Sequence, residues 1–584
     1  MSSVAYPRSG LIHVSAIAVA SALLIAASIG MLLIQIAPAA WALELGDSDN
    51  FMRLAEVRDW LGGQSWWDIR QHRVDPPFGL YTHWSRLADL PLAAGIVVLR
   101  PFLGAASAER LAPVVVPLLL LIPALLLQRA IATALAGRLA GLAALGLGAL
   151  AGPMLVQFVP GRVDHHGIQI VLVLAAIAAL VRWPGVRGGA GAALASAVSL
   201  NIGMETAPYL AVIAAFIGAD WAWRGGERID RYSAAAAARG HGIALALAVP
   251  LLFAATVPVA DWGMPKGDAI GRGHVVVAVG GGLALALLSR LWFGRDARLV
   301  ALAALGIVVA GLVLKLFPEV ISAPYAMVGP MLAREWMGHI VEMRSVFAEA
   351  ATAPLASLGM AWFVAVAAIA AVVAARRGAR AEVLVAVLAV TALGLGCWEM
   401  RALGLATAVA VPAAGAALAA LWQRRAAGGS IVPFALGLLL IGHLPAIVLG
   451  ATAKPVPPVD RGPPCNTPSA LAPLAALPRG VVLAPIDMGG SLLALTPHDV
   501  VATPIHRDVH GNLRAYAVFR APPSSKPPAG IDYVGYCPAD GETGILIAGA
   551  PHGLLAALAA GRVPPWLVRV GSGPFRTWRV ISSR

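Results

Sequence analysis

Apolar runs of membrane-spanning length recur along this chain and end near residue 450. A helix needs roughly 20 apolar residues to cross the hydrocarbon core of a bilayer. We place thirteen such runs, near 11–36, 109–128, 132–155, 167–182, 188–203, 206–224, 238–258, 273–293, 297–316, 354–375, 381–397, 402–422 and 430–450. With 59% hydrophobic and only 12% charged residues, the chain lies outside the range of soluble globular proteins. The sequence therefore predicts a polytopic membrane protein whose residues 1–450 form an all-α domain of about thirteen transmembrane helices.

Arginines fall mainly in alternate connections between these runs. The formal net charge is +13, from 43 Lys and Arg against 30 Asp and Glu, which in a soluble chain would favour a nucleic-acid partner. In a membrane protein, short cytoplasmic connections collect arginine instead. The even-numbered connections hold Arg129, Arg182, Arg187, Arg224, Arg228, Arg231, Arg239, Arg290, Arg295, Arg298, Arg376, Arg377, Arg380, Arg424 and Arg425. The positive charge is thus explained by membrane topology, and we predict no nucleic-acid partner. The arginine distribution predicts that the amino terminus lies inside and the tail outside.

The first run has the character of an anchor. It is long for a signal-peptide core and is followed by no clean small-residue cleavage site. An Arg-heavy, Lys-poor and Ala-rich composition is typical of a GC-rich bacterial source. We therefore expect a multi-pass protein of the bacterial inner membrane, with its outer side facing the periplasm.

The tail, residues 451–584, changes sharply in composition. A Pro-rich linker around Pro455 to Pro464 precedes short β-type runs such as Gly480–Pro485 and Tyr533–Cys537. This pattern predicts a small extracytoplasmic α/β domain. Two of the three cysteines, Cys465 and Cys537, fall in it, and in an oxidising compartment they form either a disulfide or two free thiols. The cysteines offer no spacing for a structural zinc site.

The large first outer loop, 37–108, begins with an Asp-x-Asp motif. Asp47 and Asp49 follow the first span, and Arg53 follows them along the chain. Carboxylate oxygens suit Mg²⁺ or Mn²⁺, and a cation held there could neutralise a phosphate. The same residues are also typical of a helix N-cap with acidic residues in its first turn, and the motif alone favours that interpretation.

The next outer connection carries Asp164, His165 and His166 between two apolar runs. A single histidine would indicate packing at the membrane interface. A carboxylate and two imidazoles together, on the outer side that also carries Asp47, favour a metal site as strongly as they favour packing. Glu205, between two later spans, is predicted on the same side, where a half-buried carboxylate is costly unless paired or functional.

Two further outer segments carry charge. The loop 317–353 contains Glu342 and by itself is typical of an interfacial amphipathic helix. Arg401, at the outer end of a span, either reaches the lipid head groups or grips a lipid-linked phosphate. No one of these signals is specific, but all fall on a single predicted face.

The order of these motifs resembles the catalytic subunits of oligosaccharyltransferases in the GT-C superfamily of membrane glycosyltransferases. That family has thirteen spans, large first and fifth outer loops and an outer carboxy-terminal domain. Its first loop holds a metal-binding Asp six residues before an Arg, as in Asp47 and Arg53, and archaeal members carry Asp-His-His, as in Asp164–His166.

The resemblance implies a role for each candidate residue. Asp47, Asp164 and His166 would bind a divalent metal, Mg²⁺ or Mn²⁺. Asp47, Asp49 and Glu342 would be catalytic, and Arg401 would contact the donor phosphate. Arg53, His165 and Glu205 would support them, Arg53 by holding the first-loop acids or by touching substrate. The implied reaction is an inverting transfer of a sugar or oligosaccharide from a polyprenyl phosphate or diphosphate to a protein or glycan acceptor at the outer bilayer surface.

The sequence departs from the family at the acceptor side. The family's Thr-Ile-x-Glu is here His339-Ile340-Val341-Glu342, and its sequon-reading Trp-Trp-Asp is replaced in the tail by Ile486-Asp487-Met488-Gly489; Trp66-Trp67-Asp68 lies in the first loop instead. An asparagine acceptor is therefore not implied. The polar tail segment from Thr496 to His510 either lines an acceptor groove or, as we favour, forms surface turns.

Two other functions fit parts of the sequence. A transporter or flippase for a lipid-linked or anionic solute would use outer carboxylates as a gate, but such proteins usually show internal repeats and midplane charges. We find no repeat, and the polar residues crowd one surface. An assembly protein whose outer domain binds a partner is the third interpretation.

Overall fold

Helices dominate the chain. The computed structural model describes residues 8–225, 232–291, 294–321, 325–441, 462–524 and 527–581. The helices of the first domain are α1 Arg8–Trp41, α2 Ser48–Leu61, α3 Arg86–Gly148, α4 Gly152–Leu155, α5 His166–Arg182, α6 Val186–Ile202, α7 Ala207–Arg224, α8 Ala234–Thr256, α9 Arg272–Leu288, α10 Arg295–Leu316, α11 Gly329–Glu335, α12 Val346–Ala350, α13 Pro354–Ala375, α14 Arg380–Trp398, α15 Leu403–Ala426 and α16 Val432–Ile441.

Within the described residues, each predicted apolar run is largely helical, which confirms the all-α membrane domain. Seven of the described helices are long and apolar enough to cross a bilayer by length and composition, and α5 and α9 are shorter apolar helices. The run 430–450 is described only as far as Ile441, and the predicted domain boundary near 450 and most of the Pro-rich linker lie outside the described residues.

Helix α3 joins the two runs that were predicted as separate spans at 109–128 and 132–155. Its 63 residues are interrupted at Gly104 (φ 76°) and again at Ala136 and Gly137, where Gly137 has φ 83°. Positive φ is a region that glycine enters without steric cost. The long helix is therefore three helical segments, and the second predicted run ends in α4 after a break at 149–151.

The tail forms the predicted α/β domain. Its helices are α17 Pro468–Ala475, α18 Gly489–Leu495, α19 Val509–Arg520, α20 Gly541–Gly549 and α21 Leu554–Ala559, and its strands are β3 Val481–Leu483, β4 Asp499–Val500, β5 Tyr533–Tyr536, β6 Leu567–Val570 and β7 Arg576–Val580. The strand order is β4-β3-β5-β7-β6. Strand β3 is parallel to β4 and β5, whereas β7 is antiparallel to β5 and β6. Cys465 and Cys537 form a disulfide.

The first outer loop is attached to the edge of this sheet. The loop contains α2 and a small hairpin, β1 Arg70–Gln71 and β2 Leu80–Tyr81. Val74 bridges Val500 of β4, with the Asp75 N–H donating to the Val500 carbonyl at 2.7 Å. Apolar residues of α2 and of α18 share one buried core. The tail and the first loop therefore enclose space above the helix ends.

The prediction of one amphipathic helix in the loop 317–353 is wrong. The segment 338–350 consists of 3-10 turns at Met337–His339 and Val341–Met343, followed by the five-residue α12. The Ser345 hydroxyl caps α12 by accepting from the Ala348 N–H at 3.1 Å. Because this cap starts a new helix, the turns before it stay separate and bring Glu342 towards the enclosed space.

Candidate active site

A cleft of about 900 Å³ lies between the tail and the outer ends of the helices. Of the nine predicted site residues, seven line it: Asp47, Asp49, His165, His166, Glu205, Glu342 and Arg401. They come from three predicted outer loops, two short connections and the start of α5. The cleft therefore gathers residues that the sequence spreads over more than 350 positions.

Asp47 caps α2, as the motif itself favours. It has extended backbone angles (φ −91°, ψ 142°), and its Oδ1 accepts from the Asp49 N–H at 3.0 Å. Its other oxygen, Oδ2, accepts from Arg162 Nη1 at 2.6 Å. The cap and a role in the cleft are therefore compatible, because each uses a different oxygen.

Arg162 joins the first loop to the second, and the sequence analysis did not single it out. Its Nε lies 2.6 Å from Asp164 Oδ2, so one guanidinium is shared between Asp47 and Asp164. The signal was available in the sequence, since Arg162 stands two residues before Asp164. An arginine so close to an expected cation site is readily taken for a topology marker.

Asp164 lies beneath the cleft, with a side chain 1% exposed. Asn50 Oδ1 accepts from the N–H groups of Val163 and Asp164 at 3.0 and 3.2 Å, which fixes this turn against α2. Burial raises the pKa of Asp164, but the charges of His166 and Arg162 outweigh it, so the pKa falls well below its usual range. The carboxylate therefore stays ionised, with Oδ1 3.1 Å from His166 Nδ1.

Asp49 lies where both burial and neighbouring carboxylates oppose its ionisation. Burial, followed by the charges of Asp47 and Asp164, raises its pKa well above the usual value. Repulsion of this kind marks a place where added positive charge is favourable.

The donor set fits a divalent cation by type. Asp47, Asp49 and Asp164 supply hard carboxylate oxygens and His166 an imidazole, the ligands expected for Mg²⁺ or Mn²⁺. Within the described part of the chain, however, no three His, Cys, Asp or Glu side chains are grouped closely enough to hold an ion. Arg162 supplies the positive charge between Asp47 and Asp164 in this arrangement.

Glu205, whose side chain is 31% exposed, pairs with the buried His165 at the cleft. Their Oε1 and Nε2 atoms lie 3.1 Å apart, and Gln169 Nε2 donates to Glu205 Oε2 at 3.3 Å. Burial raises the pKa of Glu205, but the charges of His165 and His166 lower it more, to well below its usual value. The carboxylate is thus paired, as its predicted depth required.

Arg401 lies in a 3-10 turn before α15 and lines the cleft. Its Nε donates to Glu399 Oε2 at 2.7 Å, and its guanidinium carbon lies 5.5 Å from the centre of the Tyr325 ring. One carboxylate occupies only part of the guanidinium, which has five N–H donors. Arg401 therefore retains donors for an anion in the cleft.

A second, mostly apolar cavity of about 360 Å³ opens beside Arg401. Helices α5, α7, α14 and α15 supply its walls, including Ile170, Tyr209, Leu395 and Leu405. His166, Glu205 and Arg401 line both this cavity and the cleft. The two spaces therefore meet at these three side chains, of which Arg401 is the arginine.

Arg53 does not line the cleft. It is 1% exposed, and its Nη1 lies 2.5 Å from Asp89 Oδ1 and 3.1 Å from Glu56 Oε2. The guanidinium also stacks over Trp84 at 4.7 Å. Its observed contacts are thus with acids of α2 and α3, whereas Asp47 and Asp49 take their contacts elsewhere.

Imidazoles from the first loop and the tail also line the cleft. His83 and His506 pack ring to ring at 4.6 Å, and both line the cleft. Asp268 Oδ2 lies 2.6 Å from His506 Nε2, and Arg507 holds both oxygens of the same carboxylate at 2.6 Å. The surface-turn interpretation of this tail segment is wrong for His498, which is 0% exposed, and for the cleft-lining His506.

Comparisons with known proteins agree with this architecture. No protein-family model and no curated protein matches the sequence. The apo oligosaccharyltransferase of Archaeoglobus fulgidus matches with a TM-score of 0.64 at 15% identity, over 90% of this chain and 69% of that one. AglB from the same organism, in complex with an inhibitory peptide and a dolichol-phosphate, matches with a TM-score of 0.62 at 14% identity, over 87% and 68% of the two chains.

A third structure, the same archaeal enzyme in complex with Zn and sulfate, matches with a TM-score of 0.54 at 13% identity, over 84% of this chain and 63% of that one. At such identity the matches establish a shared fold. The predicted fold is thereby confirmed, and the roles of individual residues stay predictions.

Proposed function

We propose that this chain, which has the fold of an archaeal oligosaccharyltransferase, is a membrane glycosyltransferase. It moves a sugar or oligosaccharide from a polyprenyl phosphate or diphosphate to a protein or glycan acceptor at the outer surface of the bilayer. The observation that carries the proposal is the junction of a polar cleft and an apolar cavity at His166, Glu205 and Arg401. A ligand that fills both spaces has a polar head and an apolar chain.

The donor would lie across this junction. Its first isoprene units would occupy the apolar cavity between α5, α7, α14 and α15, and the rest of the chain would extend into lipid. Arg401 would bind the phosphate through the donors that Glu399 leaves free. His165 and Glu205 would position His166 beside it.

Transfer needs stabilisation of the leaving phosphate. A divalent cation, when bound by Asp47, Asp164 and His166 with Asp49 nearby, would act as a Lewis acid towards that phosphate. Arg162 holds Asp47 and Asp164 in place through its guanidinium. Asp49 would keep the electrostatic potential at this proposed metal site favourable for a cation.

Glu342 would orient or deprotonate the acceptor. The acceptor atom forms its bond to the anomeric carbon while the bond from that carbon to the phosphate oxygen breaks, and the phosphate leaves with the electron pair. Attack from the side opposite the phosphate inverts the anomeric configuration. The acceptor proton passes to the Glu342 carboxylate or to water.

The proposed location is the inner membrane of a bacterium, with the amino terminus cytoplasmic and the tail periplasmic. The arginine distribution supports this orientation. The Cys465–Cys537 disulfide supports it independently, because disulfides persist in oxidising compartments.

Transfer by the purified full chain in nanodiscs tests the proposal. Radiolabelled sugars linked to polyprenyl phosphate or diphosphate would be incubated with acceptor mixtures, with and without Mn²⁺. We expect Asp47→Asn, which keeps an N-cap oxygen but loses the charge, and Arg401→Gln to lower kcat/KM at least 100-fold. Asp296→Asn, a highly exposed acid outside both cavities, should leave transfer unchanged.

Two results would contradict the proposal. Normal turnover in the Asp47 or Arg401 variant would exclude the assigned site. Movement of intact lipid-linked sugar between leaflets, without cleavage of the sugar–phosphate bond, would favour the transporter interpretation.

A further inference from the structure

Asp47 and Asp164 are held in the same way on their two loops. Oδ1 of Asp47 accepts from the Asp49 N–H at 3.0 Å, and Oδ1 of Asp164 accepts from the His166 N–H at 3.0 Å. Each carboxylate therefore has one oxygen tied to the backbone two residues further along the chain. The other oxygen, Oδ2, is the one that each carboxylate offers to a partner elsewhere.

Arg162 contacts both of these Oδ2 atoms, but not equally. Its Nη1 donates to Asp47 Oδ2 at 2.6 Å. Its Nε lies 2.6 Å from Asp164 Oδ2, yet both of these atoms are buried and neither has a hydrogen-bond partner among the described residues. At so short a separation only a poor angle prevents a hydrogen bond. The guanidinium therefore neutralises Asp164 by its charge without aiming a donor at the oxygen.

Asp164 Oδ2 is thus a charged atom in a nearly closed place. The side chain is 1% exposed, and a buried carboxylate oxygen without a hydrogen bond is costly. A metal cation has no N–H bond to align, and hard cations bind carboxylate oxygens directly. A divalent cation would therefore satisfy this oxygen better than the guanidinium does.

The cation and the guanidinium need the same two atoms. Mg²⁺ binds its oxygen ligands at about 2.0–2.1 Å, so an ion shared by Asp47 and Asp164 would stand between their Oδ2 atoms. Arg162 lies there, and among the described residues no three His, Cys, Asp or Glu side chains are grouped closely enough to hold an ion. Departure of the guanidinium would let the two carboxylates close on the ion.

Asp49 offers the displaced guanidinium another partner. It lines the cleft, and within the described ranges it forms no ion pair with an arginine or lysine. Burial lowers the pKa of Arg162, but the charges of Asp164, Asp47 and Asp49 outweigh it, so the pKa rises. The charge of Asp49 thus already acts on Arg162. A guanidinium that leaves the two Oδ2 atoms stays beside a carboxylate.

We propose that Arg162 is an internal competitor of the divalent cation: it occupies the Oδ2 atoms of Asp47 and Asp164 and turns away when the ion binds both carboxylates. It is a positioning residue that holds the two acids together until the ion takes its place. Because this inference rests on the metal assignment of the proposed function, its test measures metal affinity without donor or acceptor.

Binding of Mn²⁺ to the full chain in nanodiscs of neutral lipid provides that test. The electron paramagnetic resonance signal of free Mn²⁺ gives the Kd. Asp47→Asn keeps an oxygen for the α2 cap but loses the charge, so it reports binding elsewhere on the protein. We expect the wild type to bind Mn²⁺ at least tenfold more tightly than Asp47→Asn.

Two substitutions at Arg162 separate its contacts from its charge. Arg162→Lys keeps the charge but loses the planar fork that reaches two carboxylates at once, so it should tighten Mn²⁺ binding at least threefold. Arg162→Met removes both and should tighten it at least tenfold. Arg401→Gln removes the same charge from the same cleft, where Arg401 contacts Glu399, and its Kd should stay within twofold of the wild type.

An unchanged Kd in both Arg162 variants, or weaker binding in Arg162→Met, would overturn the inference, because the arginine would then ignore the ion or help to hold its ligands. Equal tightening in Arg401→Gln and Arg162→Met, with no change in Arg162→Lys, would also overturn it, because the effect would follow net charge alone.

The same variants separate this inference from the proposed function. Sugar transfer that requires Mn²⁺, together with an unchanged Kd in both Arg162 variants, would refute the inference and leave the proposed function standing. Tightened Mn²⁺ binding without transfer from any donor would refute the proposed function and leave the competition standing. Equal Mn²⁺ binding by the wild type and Asp47→Asn would refute both the metal assignment and the inference.

Discussion

Replacing Arg162 with methionine should destabilise the protein through the acids that it leaves behind. Arg162 contacts Asp47 and Asp164 at 2.6 Å, and its own side chain is 14% exposed. Removing one partner of a buried ion pair costs about 3–5 kcal/mol. Partial exposure of Arg162 and of Asp47 places the expected loss near the lower end, at about 3 kcal/mol.

This loss converts into a measurable shift. An unfolding entropy of about 2.1 cal/mol/K per residue over 584 residues gives about 1.2 kcal/mol/K. A loss of about 3 kcal/mol then lowers Tm by about 2.5 °C if the chain unfolds as one unit, and by more if the outer region unfolds separately. Intrinsic fluorescence of the 16 tryptophans follows the transition in detergent or nanodiscs.

A double variant separates this cause from lost packing. Asp164→Asn removes the charge that Arg162→Met leaves unpaired, so the two changes together should cost less than the sum of the single changes. Mn²⁺ should raise the Tm of Arg162→Met more than that of the wild type, because the cation replaces the missing charge. An unchanged Tm in Arg162→Met, or simple additivity in the double variant, would refute the reasoning.

Three further predictions concern other parts of the molecule. Burial lowers the pKa of His83 well below 6.5, so the folded protein keeps this imidazole neutral at pH values where the unfolded chain protonates it. The free energy of unfolding therefore falls as the pH drops below 6.5. Tm should decline between about pH 6.5 and 5, and less steeply in His83→Gln. Cys465→Ser should lower the free energy of unfolding by about 4 kcal/mol, because the disulfide closes a loop of 72 residues. Cys537→Ser should have the same effect, and the double variant should lose no more than either single variant. Tm measured with and without reductant checks this. A Cβ at Gly415 would lie 2.6 Å from the Ala144 backbone nitrogen, whereas one at Gly394 meets nothing within 4 Å, so Gly415→Ala should lower Tm and Gly394→Ala should not.

The sequence was most informative where chemistry repeats along the chain. Among the described residues, the apolar runs are largely helical, because burial of backbone polar groups in lipid permits few alternatives. The β-type runs of the tail were found because short apolar runs between turn residues are typical of buried strands, as Val481–Leu483 and Tyr533–Tyr536 are. The interruption predicted at 129–131 was placed too early, because the helix continues through these residues and breaks at Ala136 and Gly137.

The candidate site was predicted in its members but not in its internal contacts. Asp47 and Asp164 were found because carboxylates are rare in an apolar chain. Their partner Arg162 was missed, since arginines are common here and only proximity separates this one from the rest. The carboxyl groups that the tail adds to the cleft were missed too, because Asp487 and Glu542 are 55 residues apart and meet only when α20 packs beside the turn at 486–488.

The attachment of the first loop to the tail has a consequence for biosynthesis. Asn466 donates to the Gly46 carbonyl across 420 positions, and Val74 pairs with Val500 at a comparable separation. A nascent chain therefore contains Gly46 and Val74 long before the tail residues that they contact, Asn466 and Val500, have been synthesised. The cleft is complete only after the tail residues between Gly462 and Ile545 have been synthesised, so a product truncated near residue 450 would keep the predicted transmembrane runs and lack the tail side of the pocket.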